Sequence, residues 1–160
     1  MKVYHGSEMI IKHPNTLHSH RALDFGSGFY VTTVREQAER WALRKADLSG
    51  NKAWLNTYEM SAETDSLIVK DFGDDLSEWI DFVLQCRAGN DAFRQYDLII
   101  GKVADDRVYR VVDLYTAGIW DKERALKEIR TYPTYDQIAF ITDRAIEKLL
   151  TFVCSEEVAP

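Results

Sequence analysis

Residues 24–32 read Asp-Phe-Gly-Ser-Gly-Phe-Tyr-Val-Thr, a glycine-rich turn that runs straight into a strand. Glycine allows backbone paths that other residues resist, and the aromatic and β-branched residues that follow favour an extended chain. Along that strand Tyr30 and Thr32 share one face, and Phe29 and Val31 the other. With one face given to the core, Tyr30 is expected to line a cleft. Upstream, Tyr4-His5-Gly6-Ser7 puts a histidine at a strand end and then a glycine whose backbone another group can approach closely. The two segments together suit a pocket for a flat, polar ring joined to a sugar.

The remainder reads as scaffold of one α+β domain spanning residues 1–160. A chain of this length buries roughly two thirds of its unfolded surface, enough for a real core. Strands are expected at 2–5, 28–33, 53–60, 66–71, 96–103, 137–142 and 151–154. Helices are expected at 34–48, 76–86, 105–115, 121–130 and 143–150, with Thr33 capping the first and Gly50-Asn51 ending it. Residues 108–114 also suit a strand by propensity. Ala38, Trp41, Ala42 and Lys45 form one stripe of the first helix. Residues 8–19 read as loop, with room for a turn of helix. Strands and helices interleave without regular alternation, which separates this pattern from a doubly wound parallel sheet.

Charge and composition narrow the function classes. A net charge of −6 argues against a broad phosphate-backbone footprint. No apolar run reaches the ~20 residues of a membrane-spanning helix, and residues 1–4 lack the apolar core of a signal peptide. Cys86 and Cys154 stand far apart with no metal-ligand neighbourhood, as expected of free thiols in the cytoplasm.

Within the motifs, a peptide N–H and C=O at Gly6 can grip a carboxamide with two hydrogen bonds, and the His5 imidazole can reach a ribose hydroxyl. Trp41 follows Tyr30 by eleven residues. A helix folded back over the strand would let the two rings flank a planar group. His13, His18 and His20 lie close together in a polar loop without a metal-ligand pattern and are read as a solvated lid. Arg21 beside them is a candidate for a diphosphate. Asp105-Asp106 is read first as a helix cap and second as a base for an acceptor nucleophile. Asp71, Asp74, Asp75 and Glu78 read as a solvated helix start.

His-Gly-Ser, then Gly-x-Gly-Phe-Tyr and an aromatic eleven residues on, resembles the catalytic domain of the diphtheria-toxin and poly(ADP-ribose) polymerase branch of ADP-ribosyltransferases. Nearly the whole chain resembles a bacterial family in that superfamily, domain of unknown function 3990. That likeness rests on five ordered motifs: Tyr-His-Gly-Ser, the 24–32 segment, Gln-Ala-x-x-Trp-Ala at 37–42, Tyr-Asp-Leu-Ile-Ile-Gly-x-Val-Ala-Asp-Asp at 96–106 and Gln-Ile-Ala-Phe at 137–140. The resemblance implies a split mixed β fold holding NAD in a cleft. By it His5 takes the adenine-side or nicotinamide ribose, Gly6 the nicotinamide amide, and Tyr30 and Trp41 the ring, with Ser7 a further NAD-binding candidate. Ala38 stands where polymerase relatives often carry an amide-binding serine.

By the same resemblance Gln137 stands where better-known relatives place a catalytic glutamate. A neutral amide orients a ribose but stabilises a developing oxocarbenium less than a carboxylate does, so mono-transfer is expected rather than polymer synthesis. Asp136 is the fallback, although strand alternation turns it to the other face. Arg87 and Asp97 also belong to the family pattern, and a buried ion pair accounts for them as well as chemistry does. The expectation is an NAD-dependent mono-ADP-ribosyltransferase with an unidentified protein or nucleic-acid acceptor. A toxin-like role with an antitoxin partner is a further expectation. The alternatives are an NAD glycohydrolase, a catalytically weak NAD-binding module, and an interaction protein whose aromatics are all core.

Overall fold

The computed structural model describes residues 1–18, 23–133 and 135–160. Arg21 and His20 lie outside these, so the expectations placed on them have no structural counterpart below. Seven strands and five α-helices follow one another along these residues. The strands are β1 (Lys2–Ser7), β2 (Phe29–Val31), β3 (Ala53–Met60), β4 (Val69–Asp71), β5 (Leu98–Lys102), β6 (Asp136–Phe140) and β7 (Leu150–Val158). The helices are α1 (Arg35–Ser49), α2 (Leu76–Arg87), α3 (Asp106–Thr116), α4 (Lys122–Ile129) and α5 (Asp143–Leu149). The fold is α+β, with two sheets. One is three-stranded in the order β1-β3-β7; the other is four-stranded in the order β2-β6-β5-β4. Pairing is antiparallel throughout except between β4 and β5, which makes the second sheet mixed.

Both faces of the four-stranded sheet are buried, and strand alternation sorts their residues. Phe29, Val31, Leu98, Ile138 and Phe140 join Val3 and Tyr58 of the other sheet, and Ala145, Ile146 and Leu149 of α5. Tyr30, Ile99 and Ala139 face the opposite way. They pack with Phe25 and with Trp79, Ile80, Val83, Val108, Val111 and Ala125 of α2, α3 and α4. The expectation that one face of β2 would be left over for a cleft is therefore corrected: two separate cores claim its two faces.

Local chemistry sets most element ends. Asp75, Asp105, Asp121 and Thr142 each cap a helix by accepting from the backbone of its first turn. Gly50 ends α1 at φ 75°, a left-handed conformation that favours glycine. Thr33 does not cap α1 as its sequence position suggests. Its hydroxyl and amide both go to Asp136, and Thr32 Oγ1 accepts from the Val34 amide instead. β7 runs well past the expected 151–154, because it pairs with β3 along its length on both sides of a register shift at Thr57/Tyr58. Nothing local in its mixed polar sequence advertises that length.

Candidate active site

Strand β1 meets the residue just after β2 through one main-chain exchange. Tyr4 N–H donates to Thr32 O at 2.8 Å, and Thr32 N–H donates to Tyr4 O at 2.9 Å. In an antiparallel ladder, alternate residues turn their N–H and C=O groups to opposite sides. Tyr4 gives both of its groups to Thr32, so Gly6, two residues on, also turns its groups away from β3. A ladder continued by one step would pair Gly6 with Tyr30. The bridge at Tyr4 and Thr32 is isolated, however, and goes no further. The Tyr30 carbonyl accepts instead from Nδ1 of His5, at 2.6 Å. A side chain has replaced a ladder bond, and the sheet divides there.

This contact also sets the histidine. A carbonyl only accepts, so Nδ1 carries the proton and, in the neutral ring, Nε2 is the acceptor nitrogen. The imidazole lies buried and stacked on Phe29, with centroids 4.4 Å apart. Gly6 is buried beside it under α1. A Cβ built there would lie 1.9 Å from the Ala38 carbonyl oxygen and 2.6 Å from the Ala42 nitrogen. The close approach expected at this glycine is thus made by a helix, and the small face of Ala38 and Ala42 is what admits it. The Gly6 carbonyl accepts from Lys45 Nζ at 2.8 Å. Lys45 as a residue is exposed, but its ammonium is tucked against the strand, and that desolvation lowers its pKa. Ser7 is buried and its Oγ accepts from the Met9 amide at 3.3 Å.

Tyr30 contributes its backbone to His5 and its side chain to the turn before it. The hydroxyl donates to Gly26 O at 2.5 Å and accepts from Phe25 N–H at 3.0 Å. Burial, reinforced by the nearby Asp24 charge, raises this phenol well above its usual pKa. Trp41 is half-buried on α1, one turn beyond Ala38. Among the described residues the two rings form no stacked or edge contact, and the phenol is part of the core behind β2.

Gln137 leads into a buried polar network. Its Nε2 donates to Asp24 Oδ2 at 3.0 Å and to the Lys102 carbonyl at 3.1 Å. Asp24 Oδ2 also accepts from the Ala104 amide at 3.0 Å, and Oδ1 accepts from Nε of Arg87 at 2.8 Å and from its Nη2. The Arg87 guanidinium lies over the Tyr109 ring, 3.1 Å from its centroid. In the sequence a buried ion pair accounts for Arg87 and Asp97 as well as chemistry does; in the fold the two do not pair with each other, and each has its own partner. Arg87 takes Asp24, whereas Asp97 takes Arg144 at 2.8 Å. Asp24 itself escaped notice as a functional residue, although it heads the most distinctive motif of the chain.

The remaining candidates have structural work. Asp105 Oδ1 caps α3 by accepting from Arg107 and Val108 amides, both at 3.0 Å. Asp136 ties β6 to the β2–α1 junction through Thr32 and Thr33. No cluster of three or more potential metal ligands occurs among the described residues, and no helix among them is long and apolar enough to cross a membrane.

Residues 1–152 match the family described as protein of unknown function (DUF3990), and the chain belongs to that family. No curated protein matches, and no solved structure does.

Proposed function

We propose that this DUF3990 member binds NAD where β1 and β2 part and acts as a mono-ADP-ribosyltransferase. One observation carries the reading: the main-chain groups of Gly6 face away from β3 beside an imidazole whose tautomer is set by the Tyr30 carbonyl. A primary carboxamide is complementary to such an edge. Its oxygen accepts from the glycine N–H, and its amino group donates to the carbonyl, whose second lone pair remains after Lys45 has taken one. His5 Nε2 is the acceptor for a ribose hydroxyl. Trp41, one turn from Ala38 on the helix that covers Gly6, offers the ring face, while Tyr30 acts through its backbone.

In this reading the bond between the ribose anomeric carbon and the pyridinium nitrogen breaks. Its electron pair stays with nicotinamide, which leaves as a neutral molecule. A nucleophile of the acceptor forms the new bond to the anomeric carbon and gives up its proton. Holding the sugar and carboxamide in fixed register is what these side chains contribute.

The test is incubation of folded protein with labelled NAD and cell extract. Transfer of label to a macromolecule, with equimolar nicotinamide, is the expected result. Free ADP-ribose without a labelled target would instead assign the protein as a glycohydrolase. The neutral amide at Gln137 favours a second reading, an NAD-binding module without turnover; calorimetric binding with no nicotinamide release identifies that case. Growth arrest on expression, relieved by a co-expressed neighbouring protein, tests the antitoxin expectation. Absence of both binding and turnover removes NAD from the account.

A further inference from the structure

The Gly6 carbonyl meets a cation from α1. Lys45 Nζ donates to it at 2.8 Å. An ammonium carries three N–H donors and no acceptor, and this contact uses one of them. Lys45 follows Trp41 by four residues on the same helix, so the two side chains are neighbours along one helix face. Lys45 as a residue is exposed, whereas its ammonium is desolvated against the strand. Glu8 is the acidic group that acts on it, and the loss of hydration outweighs that attraction. A cation therefore stands at the carbonyl of Gly6, one helical turn from the indole.

We infer that Lys45 is a specificity-determining residue of this subsite, and that it admits a pyridine-3-carboxylate, the acid counterpart of nicotinamide, as well as the carboxamide. The inference rests on the NAD reading above. A bare glycine edge offers one donor and one acceptor, and a carboxamide matches both. A carboxylate has only acceptors, so its second oxygen would face the Gly6 carbonyl with no proton between them. A site built to meet an N–H of its ligand rejects an analogue lacking it by about 10⁴–10⁵-fold. Lys45 changes that count. Its ammonium, already bonded to the carbonyl, bridges it to one carboxylate oxygen, while the other oxygen accepts from the Gly6 N–H. The carboxamide keeps its own two bonds through the second lone pair of the carbonyl. One edge thus serves both ring substituents, and the charge of the acid is paired.

Two ligands on one protein test this. Calorimetry compares NAD with its deamidated form, in which the pyridine carries the carboxylate. The wild type is expected to bind the acid form within about tenfold of NAD, or tighter. Lys45→Met keeps the aliphatic stem and removes the charge and its donors. In this variant the Kd of the acid form relative to that of NAD is expected to rise by at least about tenfold. A merely structural tie between α1 and β1 would move both constants together and leave their ratio alone.

A wild type that binds NAD but takes the acid form more than about tenfold weaker overturns the inference and leaves the NAD reading intact. A ratio that moves less than about tenfold in Lys45→Met does the same. A wild type that takes the acid form and not NAD supports the role of Lys45 and replaces NAD as the ligand. Binding of neither overturns the site reading and the inference with it. If Lys45→Met does not fold, Lys45→Gln gives the same comparison, with the same change in ratio expected.

Discussion

The carbonyl oxygen of Tyr30 lies 2.6 Å from Nδ1 of His5, in the direction where a continued ladder would have met Gly6. The histidine thus stands where one sheet ends and the other begins. Removing the side chain in His5→Ala leaves the Tyr30 carbonyl without that donor, and the Gly6 amide is the nearest replacement. Hydrogen exchange at the Gly6 N–H is expected to slow in this variant as the ladder closes, and nicotinamide release is expected to drop at least about tenfold. Unchanged exchange at Gly6 would mean that the imidazole does not hold the strands apart.

Gly6→Ala addresses the helix contact. Its Cβ would meet backbone atoms of α1, which cannot rotate away as a side-chain tip would. Displacement of α1 is expected to destabilise the fold by about 1–3 kcal/mol or more. Thermal unfolding of the variant measures this, and a melting temperature equal to wild type would contradict the packing described here.

Tyr30→Phe separates the backbone role of this residue from its phenol. Loss of the hydroxyl leaves the buried Phe25 N–H and the Gly26 carbonyl without the partner they share. The expected penalty is about 1–3 kcal/mol in denaturant unfolding. KM for NAD is expected to stay unchanged, because the carbonyl that orients His5 is retained. A rise in KM with unaltered stability would instead return the phenol to the binding surface.

Acid sensitivity is expected to involve Asp97. Burial alone would raise its pKa, but the Ile68 amide, Thr142 hydroxyl and Arg144 guanidinium outweigh that and hold it below the usual carboxylate value. A carboxyl depressed in the folded state adds stability that is present above its unfolded pKa and lost as pH falls through the folded one. Asp97→Asn is therefore expected to melt lower than wild type at neutral pH. The gap should narrow as pH drops below about 4, near the unfolded pKa of aspartate. A gap independent of pH would show that the charge of Asp97 is not what matters.

The two thiols are expected to differ sharply in reactivity. Cys86 is buried in α2, and burial followed by the Asp24 charge pushes its thiol up to about 12, whereas Cys154 lies exposed on β7. Thiolate is the reactive form. A disulfide reagent should titrate one thiol in native protein and the second only after denaturation; rapid reaction of both would contradict the packing around α2.

Much of this architecture was legible in the residues themselves. The α2 stripe of Trp79, Ile80 and Val83, the aspartate before α3 and the glycine after α1 are local signals, and the corresponding elements lie close to where those signals put them. The β1 and β2 motifs drew attention to His5, Gly6 and Tyr30. Alternation also sorted Phe29 from Tyr30 correctly. It gave no information on what lies beyond each face, and the second core formed by α2, α3 and α4 took the side that had been assigned to a cleft.

The sequence by itself determined the kinds of element and their polarity, because caps, alternation and helical stripes act between residues a few positions apart. Only tertiary structure decided which acceptor each donor meets. Gln137 reaches Asp24 across 113 positions, and Lys45 reaches the Gly6 carbonyl across 39. Neither pairing leaves a local trace. Each is fixed by where packed strands and helices bring buried polar groups that must find partners once water is gone.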